Sequence, residues 1–311
     1  MPKTAFLFPG QGSQFAGMGK TLADAYATAR AVFEEADRAL EFPISRLCFE
    51  GPEEELKLTE NTQPALLTVS TAAAAVLAEK GIEADFVAGH SLGEYSAVVA
   101  AGGLRFADAL RLVRKRGQYM QDAVPPGVGA MAALLKMPEE KLADVLAEAL
   151  AEAEEGEVVT AANLNSPDQV VIAGSTAAVK RAMELAKAAG AKRAVLLPVS
   201  APFHCPLMKP AQARLSADLD AAEFHDLRCP LVNNYSAEPI TAGADARRGL
   251  FEQVPNPVLW MQSMRWLAAQ GVERYLEVGP GAVLSGLLRN IDPALKASKC
   301  GEAAEIEALC A

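Results

Sequence analysis

Apolar positions fall into two rhythms along the chain. Short strand-like runs at 4–10 (TAFLFPG), 85–89 (DFVAG) and 274–281 (RYLEVGPG) alternate with longer stretches of helical period over 19–40, 64–80, 91–121 and 257–270. This alternation predicts an α/β fold with a mostly parallel sheet. Each run ends in a glycine-rich turn, the place where such sheets hold their ligands. Between 126 and 200 the rhythm changes. A strand at 129–135 leads to a helix opening at Pro138 and ending near Glu155, then to strands at 157–165 and 169–174 around an SPD turn. A helix after Ser175 and a strand at 191–200 close a β-α-β-β-α-β unit, the ferredoxin-like motif. The expected organisation is therefore a large domain, 1–125 and 201–311, interrupted by a small ferredoxin-like domain, 126–200, with a Pro/Gly cluster at its entrance. The closing stretch 298–311 (SKCGEAAEIEALCA) is expected as a peripheral helix or a frayed tail.

Composition narrows the classes open to this pattern. A chain of 311 residues with 51% apolar content buries a large core. Its apolar runs are shorter than the roughly 18 residues a membrane span needs, and the N-terminus lacks the signature of a signal peptide, so a cytoplasmic protein with no membrane partner is expected. The five cysteines, Cys48, Cys205, Cys229, Cys300 and Cys310, are scattered and follow no metal-binding spacing, which predicts free thiols and no metal site. A net charge of −10 argues against nucleic acid as a partner, and a monomer is expected.

The candidate chemistry starts at GHSLG (89–93), where Ser91 sits between an apolar run and an alanine-rich helical one. A strand, a GxSxG turn and a helix together make a nucleophile elbow, which gives the large domain a hydrolase-like character. The backbone N–H of Leu92, at the positive end of the helix, then faces a developing oxyanion. The plainer alternative is that Ser91 only caps the helix. A serine nucleophile needs a base, and the chain has three histidines. His90 adjoins the serine and points elsewhere from an elbow, and His225 sits in a charged, surface-like stretch. His204, in a proline-bracketed loop (APFHCPLM, 201–208), is the best base, although a packed interdomain histidine would read the same.

Several further stretches carry a resemblance. FPGQGSQFAGMG (8–19), TQPALL (62–67), GHSLGEYSA (89–97), RKRGQYMQDA (114–123), NSPDQVVIAG (165–174), SAPFHCPLM (200–208) and EVGPGAVLSGL (277–287) stand in the order found in malonyl-CoA:acyl-carrier-protein transacylases. The chain also resembles the acyltransferase domains of polyketide synthases. The resemblance spans about residues 3–291. It implies Ser91 as nucleophile, His204 as base, and the backbone N–H groups of Gln11 and Leu92 as the oxyanion hole. It implies that the main-chain carbonyl of Gln253, rather than a carboxylate, orients the imidazole. Malonyl-CoA is then the donor and the phosphopantetheine thiol of acyl carrier protein the acceptor, with no permanently bound cofactor.

The helical wheel of 106–121 leaves Arg116 about 70° and Arg114 about 90° from the centre of the apolar face, so periodicity alone favours Arg116 without excluding Arg114. The family motif selects Arg116. A guanidinium there matches the malonyl carboxylate in a bidentate pair and penalises an acetyl group that leaves it unpaired. The resemblance further places Gln63, Met120, Asn163 and Asn165 near the pocket, and Phe203 before the histidine fits a malonyl-like pattern. Cys205 stands where many relatives have serine. Docking of an acidic carrier protein on an acidic enzyme calls for a local basic patch, with Arg114, Lys115, Lys187, Lys192, Arg193 and Lys209 as candidates. The rival reading is a serine hydrolase using the same elbow.

Overall fold

The structure, a computed structural model, describes residues 2–199 and 201–311; position 200, which the expected strand 191–200 and the motif 200–208 both include, lies outside the described residues. In chain order the strands are β1 (Lys3–Phe8), β2 (Phe86–Gly89), β3 (Gly129–Leu135), β4 (Val159–Ser166), β5 (Gln169–Ser175), β6 (Arg193–Leu196), β7 (Leu231–Val232), β8 (Pro239–Ile240), β9 (Val272–Glu277) and β10 (Ala297–Lys299). They form two sheets, one ordered β10-β9-β1-β2-β7-β8 and one ordered β4-β5-β3-β6. In the first, every pairing is parallel except β7 with β8. The second is antiparallel throughout, as the βαββαβ order requires.

Strand β1 shows why the large sheet is buried on both faces. Side chains alternate across a strand. Ala5 and Leu7 pack with Trp260, Met264 and Leu267 on one side, while Phe6 and Phe8 join Leu66, Val98 and Leu110 on the other. The small sheet splits its residues the same way. Ala130, Ala132 and Leu134 of β3 face the helices Glu139–Ala151 and Thr176–Ala188, whereas Met131 and Ala133 turn to the main core. The small sheet is tied to the loop before the helix Trp260–Ala269, where Leu164 N–H donates to Val258 O at 2.9 Å and Val258 N–H donates to Ala162 O at 2.9 Å.

Four expectations are corrected. The stretch 19–40 is two helices, Lys20–Ala25 and Ala27–Leu40, broken by an extended Tyr26. The stretch 91–121 likewise splits into Gly93–Ala100 and Phe106–Asp122. The helix expected from 64 starts at Thr59 and carries Pro64 inside it; as the sixth helical residue Pro64 gives up the N–H that would donate to the carbonyl four residues earlier, so tertiary packing and not proline placement sets this helix's start. Strand β6 covers only part of 191–200, and β7, β8 and β10 are too short for any period to announce them. The end of the chain is a helix, Ala303–Cys310, closed by a capping box between Glu302 and Glu305.

Candidate active site

Strand β2 ends at Gly89, and the next helix starts at Gly93. Between them Ser91 adopts φ 52°, a left-handed conformation that costs a non-glycine residue about 1–3 kcal/mol. The turn is this tight because it packs against its neighbours. A Cβ on Gly89 would lie 1.9 Å from the Gly93 backbone, and one on Gly93 would lie 2.0 Å from Phe8 O. Asn234 laces the bend from the other side, accepting from Ser91 N–H at 2.7 Å and donating to Gly89 O at 2.6 Å.

The loop after the small sheet brings His204 to this serine. Its ring is buried, with Nδ1 2.9 Å from Gln253 O and Nε2 2.7 Å from Ser91 Oγ. A carbonyl only accepts, so Nδ1 carries the proton and Nε2 receives the hydroxyl proton of Ser91. Burial, and next the charge of Arg116, push the imidazole pKa down to about 3. The ring is therefore neutral at neutral pH and free to act as a base.

Arg116 lies at the base of the same site, 1% exposed. Its Nη1 donates to Gln63 Oε1 at 2.8 Å, and its Nη2 donates to Gln253 Oε1 at 2.8 Å and to Ser91 Oγ at 3.2 Å. Guanidinium and alcohol are thus in direct contact. Arg114 turns away and stacks over Phe42, 4.7 Å from its ring centre, whereas Arg116 lines the cavity of the site.

A cavity of about 230 Å³ opens over these groups, lined by Ser91, His204 and Arg116 together with Gln11, Leu92 and Gln63. Met120, Asn163, Asn165 and Phe203 line it too, and Gln253 alone of the expected site residues stands behind the wall. The N–H groups of Gln11 and Leu92 have no partner among the described residues. His90 also reaches the lining, where its Nε2 lies 2.8 Å from Asn165 Oδ1 and its ring meets Trp260 edge-on at 5.5 Å. His225 is half-exposed at the surface. Cys205 is buried, its Sγ 3.1 Å from Pro202 O, and burial raises its thiol pKa to about 11. Among the described residues no cluster of three acidic, histidine or cysteine side chains is arranged for a metal, and no helix is long and apolar enough to cross a membrane.

Two features escaped the sequence. The amide pair Asn233–Asn234 follows a two-residue strand too short to be noticed. Glu94, a fully buried carboxylate in the otherwise apolar turn after Ser91, left a signal, since a charge in an apolar helix needs a partner.

An alcohol, a neutral imidazole and a cation at the base of one cavity, on a strand–turn–helix elbow, define a serine acyl-transfer enzyme. The chain belongs to the acyl transferase domain family, whose profile matches residues 5–306. It is 51% identical to the malonyl CoA-acyl carrier protein transacylase of Bacillus subtilis (strain 168) over 307 residues, 99% of this chain and 96% of that one. The enzyme of the same name from Escherichia coli (strain K12) is 50% identical over 97% of both chains. Among solved structures, an acyl carrier protein S-malonyltransferase from Vibrio cholerae is similar at TM-score 0.95 and 45% identity over 99% of both chains. A malonyl-transacylase in complex with a type II polyketide-synthase acyl-carrier protein is similar at TM-score 0.94 and 44% identity over 98% of both.

Proposed function

We propose that this protein transfers a malonyl group from malonyl-CoA to the phosphopantetheine thiol of acyl carrier protein through a malonyl ester on Ser91, supplying fatty-acid or polyketide chain elongation. The observation that carries the reading is the contact of the Arg116 guanidinium with the Ser91 hydroxyl inside one cavity. A malonyl ester on Ser91 places its carboxylate three bonds from Oγ, where it folds back onto that fork. A hydrolase of neutral esters has no use for a buried cation there.

Ser91 Oγ attacks the thioester carbon as its proton passes to His204 Nε2, and the N–H groups of Gln11 and Leu92 stabilise the oxyanion. Collapse expels the CoA sulfur, which leaves as the thiol with the proton from His204. The carrier thiol then gives its proton to His204, attacks the ester and departs acylated, regenerating Ser91 by the same steps. The Gln253 carbonyl holds the imidazole in its Nδ1–H tautomer. Gln63 holds Arg116, while Met120, Asn165 and Phe203 shape the acyl chamber.

The division into a large domain, 1–125 and 201–311, and an inserted domain, 126–200, is part of this reading, supported by two sheets that share no strand. The five free cysteines support action in the reducing cytoplasm, and the net charge of −10 supports a soluble monomer acting without nucleic acid or membrane. The deciding experiment weighs the purified protein after mixing with malonyl-CoA. A malonyl adduct on the tryptic peptide containing Ser91, discharged by carrier protein, is the expected result. Rapid release of free malonate without carrier protein would instead identify a hydrolase.

A further inference from the structure

The side-chain amide of Gln253 links the elbow, the buried Glu94 and the Arg116 guanidinium. Its Nε2 donates to Ser91 O at 2.9 Å and to Glu94 Oε2 at 2.6 Å, while its Oε1 accepts from Arg116 Nη2 at 2.8 Å. An amide has two different ends. Flipped, it would set an oxygen against the Glu94 carboxylate and an NH2 against the guanidinium, both repulsive. Glu94 itself has no freedom to yield, for its Oε1 accepts from Asn233 Nδ2 at 3.0 Å and its Oε2 from Asn234 N–H at 3.4 Å.

From this geometry we infer that Glu94 is a positioning residue for malonyl selectivity: it fixes the orientation of the Gln253 amide, which in turn holds the Arg116 guanidinium toward the acyl chamber. Glu94 contacts neither the Ser91 hydroxyl nor the cavity. It acts through one side chain, and its three partners are all N–H donors, which only a carboxylate satisfies fully. Desolvation raises its pKa, while the Gln253 and Asn234 donors and the charge of Arg116 pull it back toward the carboxylate form. The carboxylate opposes the buried guanidinium across a single amide, so the orientation of one reports on the other.

The inference rests on the malonyl-transfer reading, and its test separates the two. The measurement is kcat/KM of the full-length protein for malonyl-CoA and for acetyl-CoA, wild type against Glu94→Gln. Glutamine keeps the shape, but it offers an NH2 where a donor already points. Any weakening of the elbow through Ser91 O lowers both rates together, whereas misorientation of Arg116 lowers only the malonyl rate. The malonyl-to-acetyl ratio is expected to fall about tenfold or more, the size expected from losing a hydrogen bond to a charged group. Thermal unfolding of the same samples reports the purely structural contribution, which leaves the ratio unmoved. A ratio within about twofold of wild type overturns the inference. Should Glu94→Gln fail to fold, Glu94→Asp, which retracts the carboxylate from Gln253, is read in the same way with the same two outcomes. Absence of a malonyl-Ser91 adduct in wild type defeats the functional reading instead, whatever the variants do.

Discussion

At the scale of single residues, the site pairs a cation with a base that the cation suppresses. Arg116 donates to the alcohol that is hydrogen-bonded to His204, and its charge is the second cause, after burial, of the low imidazole pKa. Two consequences follow from one side chain. Arg116→Ala removes the partner of the malonyl carboxylate and leaves that charge desolvated, so malonyl transfer is expected to fall by about two to three orders of magnitude while acetyl transfer is spared. Steady-state rates with the two donors check it, and equal losses would reduce Arg116 to a structural role. The second consequence concerns pH. The base works only when neutral, so activity falls as pH drops through its pKa. With that pKa lowered from 6.5 to about 3, kcat/KM for acetyl-CoA in the wild type is expected to stay level from pH 7 down to pH 5. In Arg116→Ala the acid limb moves upward but stays below the free-histidine value, because burial remains. An unmoved limb would mean that the guanidinium exerts no field at His204.

At the scale of elements, the elbow depends on close backbone approach. The helix Gly93–Ala100 begins against the end of β1, with no room for a methyl group at its first position. Gly93→Ala therefore has to push Phe8 O aside. A loss of about 3 kcal/mol or more in urea unfolding is expected, with at least a hundredfold loss of acylation as Ser91 leaves its bend. Gly286, in the helix Val283–Ile291, is the contrast: open space surrounds its missing Cβ. Gly286→Ala is expected to stabilise by about 0.5–1 kcal/mol through helix propensity and a less flexible unfolded chain. Similar changes at both positions would contradict the packing argument. These same elements show what a sequence displays. Ser91 and His204 stood out as candidates because a glycine turn and a proline bracket are local patterns, whereas helical period left Arg114 open beside Arg116 and only the family motif chose between them. The split at Tyr26, the early start at Thr59 and the short strands β7, β8 and β10 were not legible, since tertiary packing alone decides them. Glu94 falls between these cases: its burial was hinted at by its apolar surroundings, but its partners Asn233, Asn234 and Gln253 lie at least 139 residues away in sequence.

At the scale of the whole molecule, the proposed function asks a chain of net charge −10 to receive an acidic carrier protein, and the surface limits where that happens. Of the basic residues that the sequence nominated, Lys115 is paired with Asp218, Lys187 with Glu184, and Arg114 is stacked over Phe42. Lys192, Arg193 and Lys209 are exposed and make no ion pair among the described residues. Lys209 follows the short turn Pro206–Met208 just beyond His204, and Arg193 begins the strand that runs toward the cavity-lining Leu197, about 13 Å away at 3.3 Å per residue. That distance is close to a Debye length of about 8–10 Å at moderate salt, so the attraction steers encounter without fixing the bound acyl group. Reversing all three charges, Lys192→Glu, Arg193→Glu and Lys209→Glu, is expected to raise KM for carrier protein about tenfold at low salt, with the difference shrinking as salt is added. Transfer to free pantetheine, which offers the same thiol without a charged protein, is expected to stay within about twofold because no residue of the cavity is altered. A carrier-protein KM that ignores both the reversal and the salt would place the docking surface on another face of the molecule.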